Sequence, residues 1–402
     1  MNMNEPKLRF KADDGSQFPD WEEKKLGDIT EKVVRKDANS NADVRMISQG
    51  NGFILQSNKY SRENAGQSLK KYTLLKRDEF AYNHGASKVK PYGVCYRLCE
   101  SDEARVPYVY HTFKLIDGDS VFWNYSLNTS CMDRQLKKMV SSGARMDGLL
   151  NIGYDAYMSV NIHVPSLPEQ QKIADFLSTV DAVIEKQKAT VSAWEERKKG
   201  VMQKLFSQEV RFKADDGSEF PEWEEKKLGE VFTERTERSK GGESLLSVTI
   251  AQGIVKQSET DKRNIASENK SNYKIVKKND LAYNTMRMWQ GAEGVSEYDG
   301  IVSPAYTVIT ALDGNNSYFF ETLFKQTFML QVFQRYSQGL TSDTWNLKFP
   351  AFSEIKCQVP CENEQNKIVE CVAVLDEVIE KQKATLAAWE ELKKGLLQQM
   401  FV

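Results

Sequence analysis

Apolar positions recur most regularly in two stretches of the chain. Between Pro168 and Phe206 they alternate four and three apart, at Ile173, Leu177, Val180, Ile184, Val191, Trp194, Val201 and Leu205. The rhythm returns near the other end at Ile368, Val372, Leu375, Ile379, Leu386, Trp389, Leu396 and Met400. Neither stretch has a proline after Pro168 or Pro360, and Ala, Glu, Lys, Gln and Leu dominate, so both read as helix. The spacing is a heptad seam, the mark of a helix that lies along another helix. From Pro168 to Phe206 such a helix would be about 58 Å long at the usual rise per residue. Polar residues interrupt the two seams at matching places, Gln187 with Gln382 and Lys198 with Lys393. They either snorkel at the edge of a helix pair or fix its register.

The two stretches are copies. Asp181–Phe206 overlays Asp376–Phe401 at a constant offset of 195, with 18 of 26 positions identical. A second repeat precedes each variable part: Leu8–Ile29 overlays Val210–Val231 at offset 202, with 17 of 22 identical. In this opening motif Asp-Asp-Gly-Ser reads as a turn, and Phe-Pro-x-Trp as an extended, partly buried anchor. The chain is thus opening motif, variable region, long helix, twice over. Residues 1–163 are expected to form a first domain with its motif at 8–29, and 164–209 the first long helix. A second domain is expected over 210–358, with the motif copy at 210–231, and the second helix over 359–402.

The variable regions Thr30–His163 and Phe232–Cys357 look dissimilar but share landmarks. Phe80-Ala-Tyr-Asn83 recurs as Leu281-Ala-Tyr-Asn284, each after a charged turn, and Gln49-Gly and Gln252-Gly are similarly placed. Short β-branched and aromatic runs broken by Gly and Asn alternate with helical patches near Leu127–Val140 and Tyr318–Tyr336. The expected fold class is α+β: two mixed α/β domains of one fold, separated by two long antiparallel coiled-coil helices, with pseudo-twofold symmetry. Shared skeletons with different surfaces suggest two different recognition faces.

At 402 residues the chain is too long for one ordinary core. Its 40% hydrophobic and 28% charged residues describe a globular protein, and no run of about 18 apolar residues exists to span a membrane. The first residues lack the apolar core of a secretory signal, and six scattered cysteines fit a reducing cytoplasm. The net charge of −2 conceals an asymmetry. Residues 30–163 carry 19 basic and 14 acidic side chains, and residues 232–358 carry 15 and 14. The remaining repeat segments carry 21 and 29, so the variable parts are the more basic and lean towards a polyanion.

Catalytic signatures are missing. There is no phosphate-binding G-x-x-x-x-G-K-[ST] loop, and Gly50-Asn-Gly52 reads as a turn. No Asn-Pro-Pro-Tyr motif of the kind that holds an amine for methylation is present. Pro19-Asp20 with Glu22 and Lys24 superficially resembles a nuclease PD…ExK, but its acids are too close together and it reads as a solvated turn. Cys95 with Cys99, and Cys357 with Cys361, lack zinc-site spacing and read as buried thiols. The histidines 84, 111 and 163 have no nucleophile partner in view. No catalytic or metal-ligating residue is expected in this chain.

Nucleic-acid contact is the chemistry left open. After the first landmark come Asn83, His84, Ser87, Lys88 and Lys90; after the second come Asn284, Thr285, Arg287, Trp289 and Gln290. Both are polar, basic loops displayed from an apolar strand, with side chains that can reach base edges and phosphates. A further loop pair, around Arg145 and around Thr341, enters the strand that leads to each long helix. Lys70, Lys71 and Lys270 could touch phosphate or lie solvated. Most exposed polar loops read no base, but their occurrence twice at matching positions strengthens the reading.

Together these features resemble the specificity (S) subunit of type I restriction–modification systems. The residues that carry the resemblance are Trp21-Glu-Glu-Lys-Lys-Leu-Gly27 with its copy Trp223–Gly229, and Val164-Pro-Ser-Leu-Pro-Glu-Gln-Gln-Lys-Ile-Ala174. With them go the Lys-Lys-Gly-x-x-Gln-x-x-Phe helix ends and Leu281-Ala-Tyr-Asn-Thr-Met-Arg-Met-Trp-Gln-Gly291. Two departures stand out: the second helix start, Val359-Pro-Cys-Glu-Asn-Glu364, lacks the second proline, and His84-Gly-Ala-Ser87 replaces Thr-Met-Arg-Met. The resemblance implies two target recognition domains, each reading one half of a bipartite double-stranded DNA sequence, with the helices as a ruler. It implies two methyltransferase (M) subunits bringing S-adenosylmethionine for adenine-N6 methylation, and two restriction (R) subunits using ATP and Mg. The S subunit itself holds no cofactor and catalyses nothing. The alternatives are the specificity subunit of a type IIB-like or stand-alone methyltransferase complex, or a rod-forming scaffold with two protein-binding heads.

Overall fold

A computed structural model describes residues 6–37, 40–58, 66–85, 90–140, 150–250, 252–259 and 269–401. They form two compact units, residues 1–189 with 383–402, and residues 190–382. Each unit joins a mixed α/β domain to part of both long helices.

The first domain comprises β1 (Glu22–Lys25), β2 (Thr30–Lys32), β3 (Arg45–Ser48), β4 (Gly52–Leu55), β5 (Thr73–Lys76), β6 (Phe80–Asn83), β7 (Val94–Arg97), β8 (Glu103–Val106) and β9 (His111–Leu115). Helices α1 (Ser120–Ser126), α2 (Ser130–Met139) and α3 (Tyr154–Met158), then β10 (Asn161–Val164), lead into the long helix α4 (Leu167–Phe206). An antiparallel sheet of order β2-β9-β6-β7 forms the centre, with the hairpin β3-β4 and the pair β5-β8 beside it and β1 paired to β10. The Phe-Ala-Tyr landmark is the centre of that sheet for a simple reason. Alternation along a strand sends Phe80 and Tyr82 to one face, with Phe113, Trp123 and Tyr157, and sends Ala81 to the other, with Ile47, Phe53 and Leu75.

The second domain repeats the plan. Its elements are β11 (Glu224–Lys227), α5 (Leu228–Val231), β12 (Phe232–Glu234), β13 (Leu246–Thr249), β14 (Gly253–Lys256), β15 (Lys274–Val276), β16 (Leu281–Asn284), β17 (Glu293–Val295), β18 (Gly300–Val302) and β19 (Tyr306–Ala311). Then come α6 (Ser317–Phe324), α7 (Thr327–Tyr336), α8 (Phe349–Ser353), β20 (Lys356–Val359) and the long helix α9 (Glu362–Met400). The sheet order β12-β19-β16-β17 matches the first, and Leu281 and Tyr283 face the helices while Ala282 faces the strand pairs β13-β14 and β15-β18. The helix after each sheet is capped alike: Asp119 accepts from the Phe122 N–H, and Asn316 from the Tyr318 N–H.

Two expectations are corrected. The Asp20–Lys24 stretch is not a solvated turn, because Glu22–Lys25 pairs as strand β1 with β10. The loops after α2 and α7 do not run straight into a strand. The short helices α3 and α8 intervene, stacking Tyr157 on Tyr82 at 3.9 Å and Phe352 on Tyr283 at 5.2 Å.

Within each unit the long helices run antiparallel. In the first, Asp181 pairs with Lys393 at 2.5 Å and Lys188 lies 3.9 Å from Glu390, while Met400 and Phe401 share a core with Ile173 and Leu177. In the second, Lys198 pairs with Asp376 at 2.5 Å, and Met202 and Leu205 share a core with Ile368 and Val372. The lysines that interrupt the seams therefore cross to an acid on the facing helix. Ile173, Leu177, Val180, Ile184, Val191, Ile368, Val372 and Ile379 are buried; Trp194, Leu375, Leu386 and Trp389 are half-buried. Among the described residues no helix is long and apolar enough to cross a membrane.

Candidate nucleic-acid interface

In the second domain β16 ends at Asn284, whose side-chain oxygen accepts from the Met286 N–H at 3.0 Å and so turns the chain. One helical turn follows, with Met288 fully buried as its anchor, and Gly291 ends it at φ +79°, where a β-carbon would be strained. Met286 and Arg287 are left exposed. Arg287 reaches the Gln290 side-chain oxygen at 3.3 Å, and the Trp289 indole donates to the Met286 carbonyl at 3.1 Å. Trp289 also meets Trp345 edge-on at 5.2 Å.

Trp345 belongs to the loop after α7. Gln338 and Asn346 exchange backbone hydrogen bonds at 3.0 and 2.8 Å to close that loop, and Leu340 and Thr341 stand exposed at its tip. Thr285 binds the loop base: its carbonyl accepts from the Leu347 N–H at 2.8 Å, while its hydroxyl donates to Ala305. The two loops are thus one surface.

The first domain makes the same junction. Asn83 accepts from the Gly85 N–H at 3.0 Å, and the His84 carbonyl accepts from the Leu150 N–H at 2.9 Å. The side chains then differ. The His84 ring lies between the carbonyls of Leu150 (2.8 Å) and Val109 (3.0 Å), stacked on His111 at 4.9 Å, so it fastens the loop. Lys90 is turned inward, donating to the Asn128 carbonyl at 3.0 Å and lying 4.0 Å from Asp133. Asn83 and Asn284 shape their loops with their side-chain oxygens. Ser87, Lys88 and Arg145 lie outside the described residues.

Sequence reasoning missed the clasp that holds each domain on its long helix. The buried carboxylate of Glu169 accepts from Arg9 at 3.0 and 2.8 Å and from the Trp21 indole at 3.1 Å. Glu364 accepts from Arg211 at 3.1 and 2.8 Å and from Trp223 at 3.0 Å. The following glutamine bridges onward: Gln170 donates to the Pro165 carbonyl and accepts from Asp119, as Gln365 does with Pro360 and Asn316. The signal was present, since Glu-Gln survives in the second helix start where the second proline does not. Also missed was Glu293, fully buried in β17 with no hydrogen-bond partner, its nearest cation Lys325 at 3.9 Å. Burial pushes its carboxyl well above the usual carboxylate range. Among the described residues no three His, Cys, Asp or Glu side chains are grouped to hold a metal.

Comparison with known proteins agrees with this architecture. Residues 145–191 and 221–388 match the family described as the type I restriction modification DNA specificity domain. The type I restriction enzyme MjaVIII specificity subunit of Methanocaldococcus jannaschii is 31% identical over 123 residues, which are 29% of this chain and 27% of that protein. The match therefore spans about a quarter of that relative's length. The crystal structure of the S subunit of a type I system from M. genitalium superposes with a TM-score of 0.54 at 16% identity, over 99% of both chains. A structure from work on complex assembly and conformational transition of the type I R-M system gives 0.54 at 14% identity, over 95% of this chain and 98% of the other. The loop junction made twice, the clasped helices and the family match lead to one conclusion: this chain belongs to the family of type I restriction–modification specificity subunits.

Proposed function

We propose that this chain selects the DNA sequence on which a type I restriction–modification complex acts, each domain reading one half of a bipartite duplex target. The observation that carries this reading is the loop junction built twice with different side chains. The same backbone bond joins residues 84 and 150 in one domain and residues 285 and 347 in the other. One domain displays Arg287 and an edge-on tryptophan pair beside that bond, and the other fills the place with a histidine pair. A fixed backbone with changed side chains suits two modules that read different bases.

On this reading the paired helices set the gap between the half-sites and seat two M subunits, which bring S-adenosylmethionine. R subunits, with ATP and Mg, would join that assembly. The chain's own part is to bind and to position. Expression with its M partner, followed by mapping of methylated adenines, tests this. A bipartite, asymmetric motif that changes in one half when residues 30–163 are exchanged is the expected result; changes in both halves, or no motif, overturn it.

A further inference from the structure

A cleft of about 770 Å³ opens in the first domain beside the His84 junction. Lys32, Lys36 and Lys71 line it together with Tyr108, His111 and Tyr154. The lysines are exposed, and among the described residues none has a carboxylate within 4 Å. Two of them lie by aromatic rings instead, Lys32 over Tyr154 at 4.4 Å and Lys71 over Tyr108 at 6.0 Å. Elsewhere in the domain Lys114, Arg35, Arg77 and Arg97 are each paired with an acid. Burial holds the His111 imidazole below its ordinary pKa, so at neutral pH it adds no charge, and the positive field comes from the lysines.

The second domain is built differently at the matching strand position. Lys32 pairs with Phe113 in the sheet; its counterpart Glu234 pairs with Ile309, and Glu234 neutralises Lys274 at 3.2 Å. The shared fold therefore does not require a cation at the Lys32 position. Unpaired cations cost self-repulsion, and a cleft that interleaves them with tyrosines complements a chain of phosphates and sugars. The cleft also adjoins the reading loop, because His111 stacks on His84.

We propose that this cleft holds the sugar–phosphate backbone of the half-site read by the first domain, with Lys32, Lys36 and Lys71 as phosphate contacts and Tyr108 packed against a deoxyribose. The proposal rests on the DNA-reading function above and adds an asymmetry: the first half-site carries more of the salt-dependent affinity than the second.

The test uses the full chain in complex with its M subunits, and a fluorescent duplex carrying the mapped target, titrated over a range of salt. Each lost phosphate contact lowers the slope of log affinity against log salt by about 0.9. Lys36→Gln with Lys71→Gln is expected to lower it by about 1.8, which is about twelvefold less affinity lost between 50 and 200 mM salt. Target and unrelated duplexes should weaken by the same factor, and the methylated motif should not change. Lys137→Gln with Lys138→Gln, which removes equal charge from exposed positions on α2, should leave the slope near wild type. An unchanged slope in the cleft variant, or an equal fall in the α2 variant, overturns the proposal. A wild-type complex that fails to prefer its target would instead overturn the DNA-reading function itself.

Discussion

Trp223 donates its indole N–H to Glu364 at 3.0 Å, and both oxygens of that carboxylate are held by Arg211. Glu364 is 1% exposed, so removing its charge strands a largely buried guanidinium. Glu364→Gln is expected to destabilise the second unit by about 3–5 kcal/mol, as for one partner lost from a buried pair. Glu222 lies 3.2 Å from the same arginine but is 90% exposed, and Glu222→Gln should cost less than about 1 kcal/mol. Urea unfolding of both variants checks this; equal midpoints would show that the clasp adds nothing beyond a surface pair.

The buried carboxyl of Glu293 predicts a pH dependence of opposite sign to that of a salt-bridged acid. Unfolded, it titrates near 4.5; folded, burial raises that value well above, and Lys325 offsets only part. Below the unfolded value both states hold the proton and no penalty exists. As pH rises towards the folded value, the unfolded state releases its proton first, and stability falls by up to about 1.4 kcal/mol per pH unit. Glu293→Gln should abolish that fall and make the second unit more stable at pH 7. Stability curves for wild type and variant that stay parallel from pH 4 upward would refute this.

The long seams, the duplication and the alternating landmark strands were legible because each is a local, periodic pattern. What was not legible depends on distant partners. Arg9 finds Glu169 across 160 residues, and nothing in either motif names the other. Strand β1 is polar and exposed throughout, so it carries no alternation and read as a turn. That the His84 ring is held between the carbonyls of Val109 and Leu150 was not legible either, because backbone partners leave no side-chain trace.

Arg287 stands exposed beside the Trp289–Trp345 pair. Arg287→Ala is expected to relax one position in the second half of the target, by about 1–3 kcal/mol of discrimination, and to leave the first half intact. Adenine-methylation mapping reads this directly. Loss of selectivity in both halves would mean that Arg287 supports the fold and reads no base.

Insertion of four residues between Ala189 and Thr190 adds about one turn to α4, which keeps the seam roughly in phase. An active variant should methylate a motif with a longer gap and unchanged halves. The same gap in an active variant would remove the helices from any spacing role.

The core of the first unit contains Met400 and Phe401, the latter against Phe122 at 5.5 Å. Residues 383–402 complete that unit, yet the ribosome makes them after all of residues 190–382. The first domain therefore leaves the exit tunnel with an apolar face uncovered, while the second unit, contiguous in sequence, can close as soon as it is made. Order of synthesis and order of completion are reversed: the domain born first is finished last.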